Sequence, residues 1–226
     1  MMELDSTQAV PQPTLHAALA SDQCEVLLIR HGRSADVVPG TPESHDPPLH
    51  VVGHEQAAKL AERLARKQLS AIYSSHLARA VQTATPLADA RGLTLEIHQD
   101  LEEIRLGDWG GGEFRRRAAV NDPEWVAWSK TGRWDGIPGA ESDNDLRVRF
   151  ATVVDAAAAR HAGTTIAVVA HGGAINAYIA HVLGVHRTMI FTVENTSITA
   201  VRIGPGGPTL ITMNDCNHLY DPVLPA

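Results

Sequence analysis

Short apolar runs alternate along the chain with longer segments whose apolar residues recur at helical spacing. The run Val26-Leu27-Leu28-Ile29 is short and rich in branched residues, which is typical of a strand covered on both faces. The same reasoning predicts further strands at 71–73, 93–97, 166–170, 197–203 and 209–213. Helical spacing of the apolar residues predicts helices at 53–67, 77–90, 142–163 and 174–183.

This alternation of strands and helices predicts an α/β fold. Helices on both faces of a mostly parallel sheet would form a three-layer α/β/α sandwich. Residues 24–226 are expected to form a single such domain after a flexible N-terminal tail at 1–23. Residues 101–114 are glycine-rich and irregular, and a polar segment with three tryptophans follows them. We expect about 110–140 to form a flap inserted over the rim of the sheet. Pro86 is expected to kink or interrupt the helix at 77–90.

Two of the predicted strands run directly into a histidine followed by a glycine. Arg30-His31-Gly32 follows the first strand, and His171-Gly172 follows the strand at 166–170. In open α/β sheets, ligands bind beyond the carboxyl ends of the strands. Gly32 is expected to let a ligand approach the backbone closely. We therefore predict that His31 is a nucleophile toward phosphorus and that Arg30 holds the phosphate.

Other polar residues follow the remaining strand ends and could complete a phosphoryl-transfer site. Arg79, near the start of the second helix, could bind phosphate with two parallel hydrogen bonds. His171 supplies a second imidazole, and the amides around Gly172 begin a helix, which is a natural anion site. Glu102 and Glu103 are the carboxylates that could protonate a leaving alcohol. Each of these residues taken singly would more often be structural, and it is their convergence on one rim that indicates function.

Composition narrows the classes of partner. The net charge of −7 over 226 residues argues against nucleic acid, which is bound by an excess of Lys and Arg. The N-terminal residues lack the basic and apolar regions of a secretory signal, and no stretch is apolar enough to span a membrane. The two cysteines, Cys24 and Cys216, are best interpreted as free thiols in a reducing cytoplasm.

A histidine cluster near Asp46 could suggest a metal site. His50 and His54 have the spacing of neighbours on one helical face, and His45 lies just before them. Gly53 separates the pair, however, and no cysteine is near. We therefore predict neither a metal site nor a cofactor.

Four segments in order resemble the signatures of a known family. They are Leu28–Ser34, Ser74–Ala84, Leu101–Trp109 and Ala170–Gly173. They are similar to the signatures of the histidine phosphatase superfamily, in its phosphoglycerate-mutase-like branch, and most closely to the cofactor-independent phosphatases. The linker Asp46-Pro47-Pro48-Leu49 and the late flap segment Pro138–Ser142 also fit, so the resemblance covers nearly all of 24–199.

The resemblance implies a role for each matching residue. His31 would become transiently phosphorylated, while Arg30, Arg79 and His171 would surround the phosphate. Glu103 would donate a proton to the leaving group and then act as the base for water, with Glu102 as the lesser candidate. No metal is needed in this family. A homodimer is also expected from the habit of the family.

This sequence departs from the mutase-like members at two places. Arg33 replaces the expected acid, and Val37 stands where an asparagine would contact phosphate or substrate. The third signature, Glu-Ile-Arg-Leu-Gly-Asp-Trp from Glu103 to Trp109, resembles phosphatases rather than mutases. We therefore predict a metal-independent phosphomonoester hydrolase that acts on a small phosphorylated metabolite.

Several alternatives remain open at this point. The chain could be a phosphoglycerate mutase, a non-catalytic phospho-ligand binder, or a phosphatase of phosphopeptides. Arg115, Arg116 and Arg117 could bind a second anionic group of the substrate, although a solvated face is our prediction for such a charge run. The tryptophans of the flap could line the pocket, but for most of them we predict packing within the flap.

Overall fold

A computed structural model of the protein describes residues 19–220. The strands in that range are β1 (Cys24–Arg30), β2 (Ala71–Ser75), β3 (Leu95–His98), β4 (Thr165–Ala170), β5 (Ile198–Gly204) and β6 (Gly207–Asp215). They form one sheet in the order β3-β2-β4-β1-β5-β6. The strands from β3 to β1 are parallel, while β5 and β6 form an antiparallel hairpin beside β1. The sheet is therefore mostly parallel, as predicted.

Helices cover both faces of the sheet. They are α1 (Val51–Arg63), α2 (Ala78–Asp89), α3 (Glu113–Ala119), α4 (Pro123–Thr131), α5 (Asp143–Arg160) and α6 (Gly172–Val182). Successive residues of a strand point to opposite faces. Leu27 and Ile29 accordingly pack with α1 and α2, whereas Leu28 packs with α5 and α6. The three-layer α/β/α sandwich predicted from the sequence is confirmed.

Two local signals in the sequence have different outcomes. Ser142 caps α5 by accepting a hydrogen bond from the Asp145 amide at 3.0 Å, as its spacing from Asp145 predicts. Pro86 lies within α2, which continues to Asp89, so the helix is not interrupted there, and a kink at Pro86 stays a prediction. The ring removes a single backbone hydrogen bond in the last turn of α2, where little of the helix remains to be broken.

The segment between β3 and α5 contains α3 and α4 and is held together by aromatic side chains. The rings of Trp109, Phe114, Trp128 and Trp134 form five neighbouring pairs whose centroids lie 4.8 to 6.4 Å apart. Trp109 and Trp134 are buried, and Trp125 and Trp128 pack against the same core. The prediction that most of these tryptophans pack within the flap is confirmed.

The chain ends lie largely beyond the described residues. Residues 1–18 of the predicted tail fall outside the described range, and so do 221–226 at the other end. Gln23 accepts a hydrogen bond from the Gly163 amide at 2.8 Å, which joins the start of β1 to the loop before β4. Within residues 19–220, no helix is long and apolar enough to cross a membrane.

Candidate active site

Strand register brings the two predicted histidines together. Arg30 pairs with Ala170 across β1 and β4, and the His31 amide donates to the Ala170 carbonyl at 2.9 Å. The next residue on each strand is therefore a histidine at the same level of the sheet. The centroids of the His31 and His171 rings lie 5.0 Å apart.

The surroundings of His31 determine which ring nitrogen carries the proton and keep the ring uncharged. Nδ1 lies 2.7 Å from the carbonyl oxygen of Gly32. A carbonyl oxygen can only accept, so Nδ1 carries the proton and Nε2 keeps its lone pair. Burial of the ring, followed by the charges of Arg79 and Arg30, holds the pKa of His31 well below its usual value. The ring is therefore neutral at pH 7, as a nucleophile must be.

His171 is fully buried with neither ring nitrogen paired. Its exposure is 0 %, and within residues 19–220 no group hydrogen-bonds to Nδ1 or Nε2. Burial, then Arg79 and His31, holds the pKa of His171 well below its usual value. A buried polar group without a partner costs free energy. The ring next to His31 thus has hydrogen-bonding capacity that a ligand could satisfy.

The two predicted phosphate-binding arginines lie around the same imidazoles. Arg30 donates through Nη1 to the Val193 carbonyl, while its buried Nε has no partner among the described residues. Arg79 is only 8 % exposed, and its Nη1 lies 3.5 Å from Oδ1 of Asp46. Burial lowers the pKa of both guanidiniums, against the opposing charge of Glu103. An entering anion would offset this unfavourable concentration of positive charge.

Glu103 lies at the N-terminus of α6, the helix that begins directly after His171. Its carboxylate accepts from the amides of Gly173 and Ala174 at 3.2 and 3.1 Å. A Cβ on Gly173 would lie 2.6 Å from Oε1 of Glu103, so only glycine leaves room for this contact. The helix N-terminus predicted as an anion site therefore holds a carboxylate of the protein itself at these two amides. Gly172 packs instead against the Arg30 side chain.

A buried ion pair supports the loop that carries Glu103. Arg149 on α5 donates to the carbonyls of Glu102 and Glu103 at 2.9 and 3.0 Å. Its guanidinium also pairs with Glu141, and both side chains are nearly buried. Glu102 points elsewhere, since its carboxylate binds the exposed Arg105 at 2.6 Å. Glu103 is thus the better placed of the two candidate carboxylates.

Gly32 lies where two backbones approach each other closely. A Cβ at Gly32 would lie 2.7 Å from the carbonyl oxygen of Gly53, and one at Gly53 would lie 2.1 Å from that of Arg33. The two backbones therefore touch where α1 passes the end of β1, and this contact alone requires glycine at position 32. That a ligand also approaches the backbone at Gly32 stays a prediction.

Two polar residues near the site escaped the sequence reasoning as functional candidates. Asp46 accepts from the Ala78 amide at 2.9 Å and pairs with Arg79, so it caps α2 and orients the guanidinium. Asn195 donates through Nδ2 to the His31 carbonyl at 2.9 Å. Both lie in loops, where no periodicity marks a residue as inward-facing. The position of Asp46 in a matching linker was the available signal for it.

The arginine run in α3 divides into two kinds of residue. Arg116 and Arg117 both pair with Glu113, at 2.6 and 2.9 Å. Arg115 instead donates to Oγ of Ser34 at 2.9 Å and to the Ala35 carbonyl at 3.2 Å. Its charge contributes to lowering the pKa of His31. Arg115 therefore belongs to the rim of the site, unlike its neighbours.

The histidines near Asp46 form no metal site in the described range. No group of three or more His, Cys, Asp or Glu side chains within residues 19–220 has the geometry to hold a metal ion. Nδ1 of His50 instead accepts from the Val52 amide at 3.2 Å and caps α1. That the protein needs no metal stays a prediction.

The arrangement is suited to a tetrahedral anion. Arg30 and Arg79 can neutralise the oxygens of a transferring phosphoryl group, and His171 can donate or accept a further hydrogen bond. His31 offers one basic nitrogen, and Glu103 is a carboxylate that can carry a proton. These are the groups that a two-step phosphoryl transfer through histidine requires.

Comparisons with known proteins agree with this geometry. The family profile described as histidine phosphatase superfamily (branch 1) matches residues 26–216. The chain is 32 % identical over 205 residues to phosphoglycerate mutase-like protein 4 of Arabidopsis thaliana, covering 88 % of this chain and 89 % of that one. It is 34 % identical over 167 residues to glucosyl-3-phosphoglycerate phosphatase of Mycolicibacterium vanbaalenii, covering 70 % and 74 %.

A solved structure extends the comparison to the fold. Phosphoserine phosphatase from Entamoeba histolytica, in complex with 3-phosphoglyceric acid, superposes with a TM-score of 0.70 at 26 % identity. The match covers 87 % of this chain and 100 % of that one. The resemblance inferred from the four sequence signatures is thereby confirmed. The chain belongs to branch 1 of the histidine phosphatase superfamily.

Proposed function

We propose that this protein hydrolyses a small phosphomonoester through a phosphohistidine at His31. One observation carries the proposal: Nδ1 of His31 donates to the Gly32 carbonyl, so Nε2 is the basic atom in a cluster of buried cationic and imidazole groups. A neutral imidazole in a fixed tautomer, next to guanidiniums, is what phosphoryl transfer to histidine requires.

The proposed reaction has two balanced steps. In the first, the lone pair of His31 Nε2 forms a P–N bond while the P–O bond to the substrate alcohol breaks. Glu103 gives its proton to the departing oxygen, while Arg30, Arg79 and His171 stabilise the phosphoryl oxygens together with the backbone at Gly172. In the second step, Glu103 takes a proton from water, whose oxygen bonds to phosphorus while the P–N bond breaks. The electron pair returns to Nε2, inorganic phosphate leaves, and Glu103 keeps the proton for the next substrate.

Net hydrolysis is favoured over isomerisation by the sequence around the acid. The sequence from Glu103 to Trp109 resembles that of the phosphatase members of the family. Relatives of the chain include phosphatases of glucosyl-3-phosphoglycerate and of phosphoserine. A mutase must keep its phosphorylated intermediate bound until the histidine is phosphorylated again. A phosphatase must instead let water reach the phosphohistidine. We therefore place this chain with the phosphatases, and a mutase is the second candidate.

We infer further that the substrate carries a second anionic group near its phosphate. Arg115 is exposed, is tied to Ser34 beside the His31 loop, and has no carboxylate hydrogen-bonded to it among the described residues. The named substrates of the relatives, glucosyl-3-phosphoglycerate and phosphoserine, both bear a carboxylate near the phosphoester. A carboxylate or second phosphate of this substrate would therefore bind Arg115.

A substrate panel in the presence of a chelator tests the function. Phosphoserine, 3-phosphoglycerate, glucosyl-3-phosphoglycerate, an aryl phosphate and a phosphopeptide would each be incubated with the protein in EDTA. We expect phosphate release from the small esters and no interconversion of phosphoglycerates. Isomerisation stimulated by a bisphosphorylated primer would favour the mutase. Binding of vanadate without any turnover would instead indicate a ligand-binding protein.

The role of Arg115 has its own test. Arg115→Gln is expected to raise KM for the carboxylate-bearing esters about tenfold, from the loss of one charged hydrogen bond, and to leave an aryl phosphate unaffected. Arg116→Gln is the matched control, because Arg116 already pairs with Glu113 on the outer surface. Equal effects of the two substitutions on KM would contradict the assignment.

The predicted homodimer and cytoplasmic location stay predictions. Light scattering of the purified full chain tests the former, and fractionation of the source cells tests the latter.

A further inference from the structure

The peptide that joins His31 to Gly32 is held at both of its polar ends. Nδ2 of Asn195 donates to the His31 carbonyl at 2.9 Å. The Gly32 amide at the other end donates to Oγ1 of Thr83, also at 2.9 Å. The Thr83 hydroxyl is itself committed as a donor to the Arg79 carbonyl at 2.7 Å, so it is free to accept from Gly32. Both partners are uncharged side chains from distant parts of the sequence.

The orientation of this peptide affects the position of the Gly32 carbonyl, the acceptor that keeps the His31 proton on Nδ1. Nδ1 of His31 binds the carbonyl of Gly32, the residue that follows the held peptide. Glycine restricts its own backbone torsions less than any other residue. The glycine torsions do not fix the direction of its carbonyl, which therefore depends on the contacts that hold the peptides on both sides of Gly32. These are the two contacts of the His31–Gly32 peptide and the hydrogen bond from the Arg33 amide to Oε1 of Gln56 at 2.8 Å. If that carbonyl swings away, the proton of His31 is free to move to Nε2, which then has no lone pair for phosphorus.

The loop that carries Asn195 is built to hold a fixed position. Thr196 is fully buried with a φ of +54°, which a threonine adopts rarely. Its amide donates to the Arg30 carbonyl at 3.0 Å, so the loop binds the end of β1 directly. Val193 in the same loop accepts from the Arg30 guanidinium. A strained, buried conformation of this kind persists only where its surroundings determine it.

The β-hairpin braces the loop from its other side. Asn214 on β6 accepts from the Glu194 amide at 2.9 Å and donates to the Thr192 carbonyl at 2.9 Å. Asn214 also has a positive φ of 58°. The antiparallel hairpin, which carries none of the four family signatures, thus connects to the nucleophile through Asn195.

We propose that Asn195 and Thr83 are positioning residues that keep the proton of His31 on Nδ1. Neither acts on the substrate, since each binds the main chain next to His31. The proposal rests on the proposed phosphohistidine function for its catalytic consequence, but the tautomer of His31 is a property of the resting protein. Its test can therefore fail independently of the proposed function.

The test combines NMR of the full chain with transient kinetics. Long-range ¹H–¹⁵N spectra of ¹⁵N-histidine-labelled protein report which nitrogen of His31 is protonated, with His31→Ala supplying the assignment. We expect the Nδ1–H form in the wild type and a mixture of both tautomers in Asn195→Ala. The first-turnover rate should fall about tenfold, the equivalent of one hydrogen bond, while the Kd for vanadate changes less than twofold.

Isosteric variants separate positioning from a general loss of packing. Asn195→Asp keeps the shape of the side chain but cannot donate, and Thr83→Val keeps the volume but loses the hydroxyl. Both should behave as Asn195→Ala, whereas Thr83→Ser should retain the wild-type rate and tautomer. Asn144→Ala, which removes a side chain bonded to Arg147 on α5, is the control that should change neither.

Three results would overturn the proposal. The first is an unchanged His31 tautomer in both Asn195→Asp and Thr83→Val. The second is equal loss in Thr83→Ser and Thr83→Val. The third is a wild-type spectrum with the proton on Nε2. If the wild type shows no turnover while its tautomer shifts in the variants as expected, the positioning role stands and the proposed function fails.

Discussion

His31→Ala is expected to abolish phosphate release, with a loss of about 10⁴-fold or more in kcat for every substrate. The substitution removes the atom to which phosphorus would be bonded. A small effect on the free energy of unfolding is expected, since within residues 19–220 the one hydrogen bond of the ring is to its own neighbour, Gly32. Stopped-assay kinetics and thermal unfolding of the same preparation measure the two effects.

Trapping of the intermediate distinguishes a lost nucleophile from a damaged pocket. Wild-type protein quenched during turnover of a ³²P-ester should carry label that is stable in base and labile in acid, as a phosphohistidine is. His31→Ala should carry none, while it still binds vanadate through Arg30, Arg79 and His171. His54→Ala, an exposed histidine on α1, should match the wild type. Label on the His31→Ala protein would place the nucleophile elsewhere.

The site residues that the sequence predicted are those that lie just after the ends of strands. His31 and His171 each follow a buried apolar run, and parallel pairing of β1 with β4 places both at one level. The prediction did not require the positions of the side chains, because the carboxyl ends of parallel strands share one edge of the sheet. Arg79 and Glu103 followed from the same rule, with the family resemblance selecting Glu103 over Glu102.

The parts that the sequence did not predict depend on contacts that loops make with distant parts of the chain. Arg115 on α3 meets Ser34 across 81 positions, and Asn195 in its loop meets His31 across 164. Polar side chains in loops carry no apolar periodicity, so nothing in the local sequence indicates which of them turn inward. The contact at Gly32 escaped for the same reason: the sequence indicates that a close approach occurs there, but not that the backbone of Gly53 makes it.

Substitution of Glu103 should reveal the acid by its dependence on the leaving group. Glu103→Gln is expected to slow the first turnover of an alkyl ester such as phosphoserine by about 10²- to 10³-fold, because the departing alkoxide needs a proton. A nitrophenyl phosphate should be affected far less in that step, since nitrophenolate leaves without one. The second step also needs Glu103 as a base, so the nitrophenyl ester should give a burst of one product per protein followed by slow turnover.

Rapid-quench measurements of the burst, with Glu102→Gln as the matched control, decide the assignment. Glu102 lies next in sequence but binds Arg105 at the surface, so its amide should leave both substrates near their wild-type rates. The amides of Gly173 and Ala174 hold the Glu103 carboxylate in place, and Gln keeps an oxygen to accept from one of them. Equal slowing of the alkyl and nitrophenyl esters would mean that Glu103 supports the site without transferring a proton. A burst in Glu102→Gln would instead move the acid to that residue.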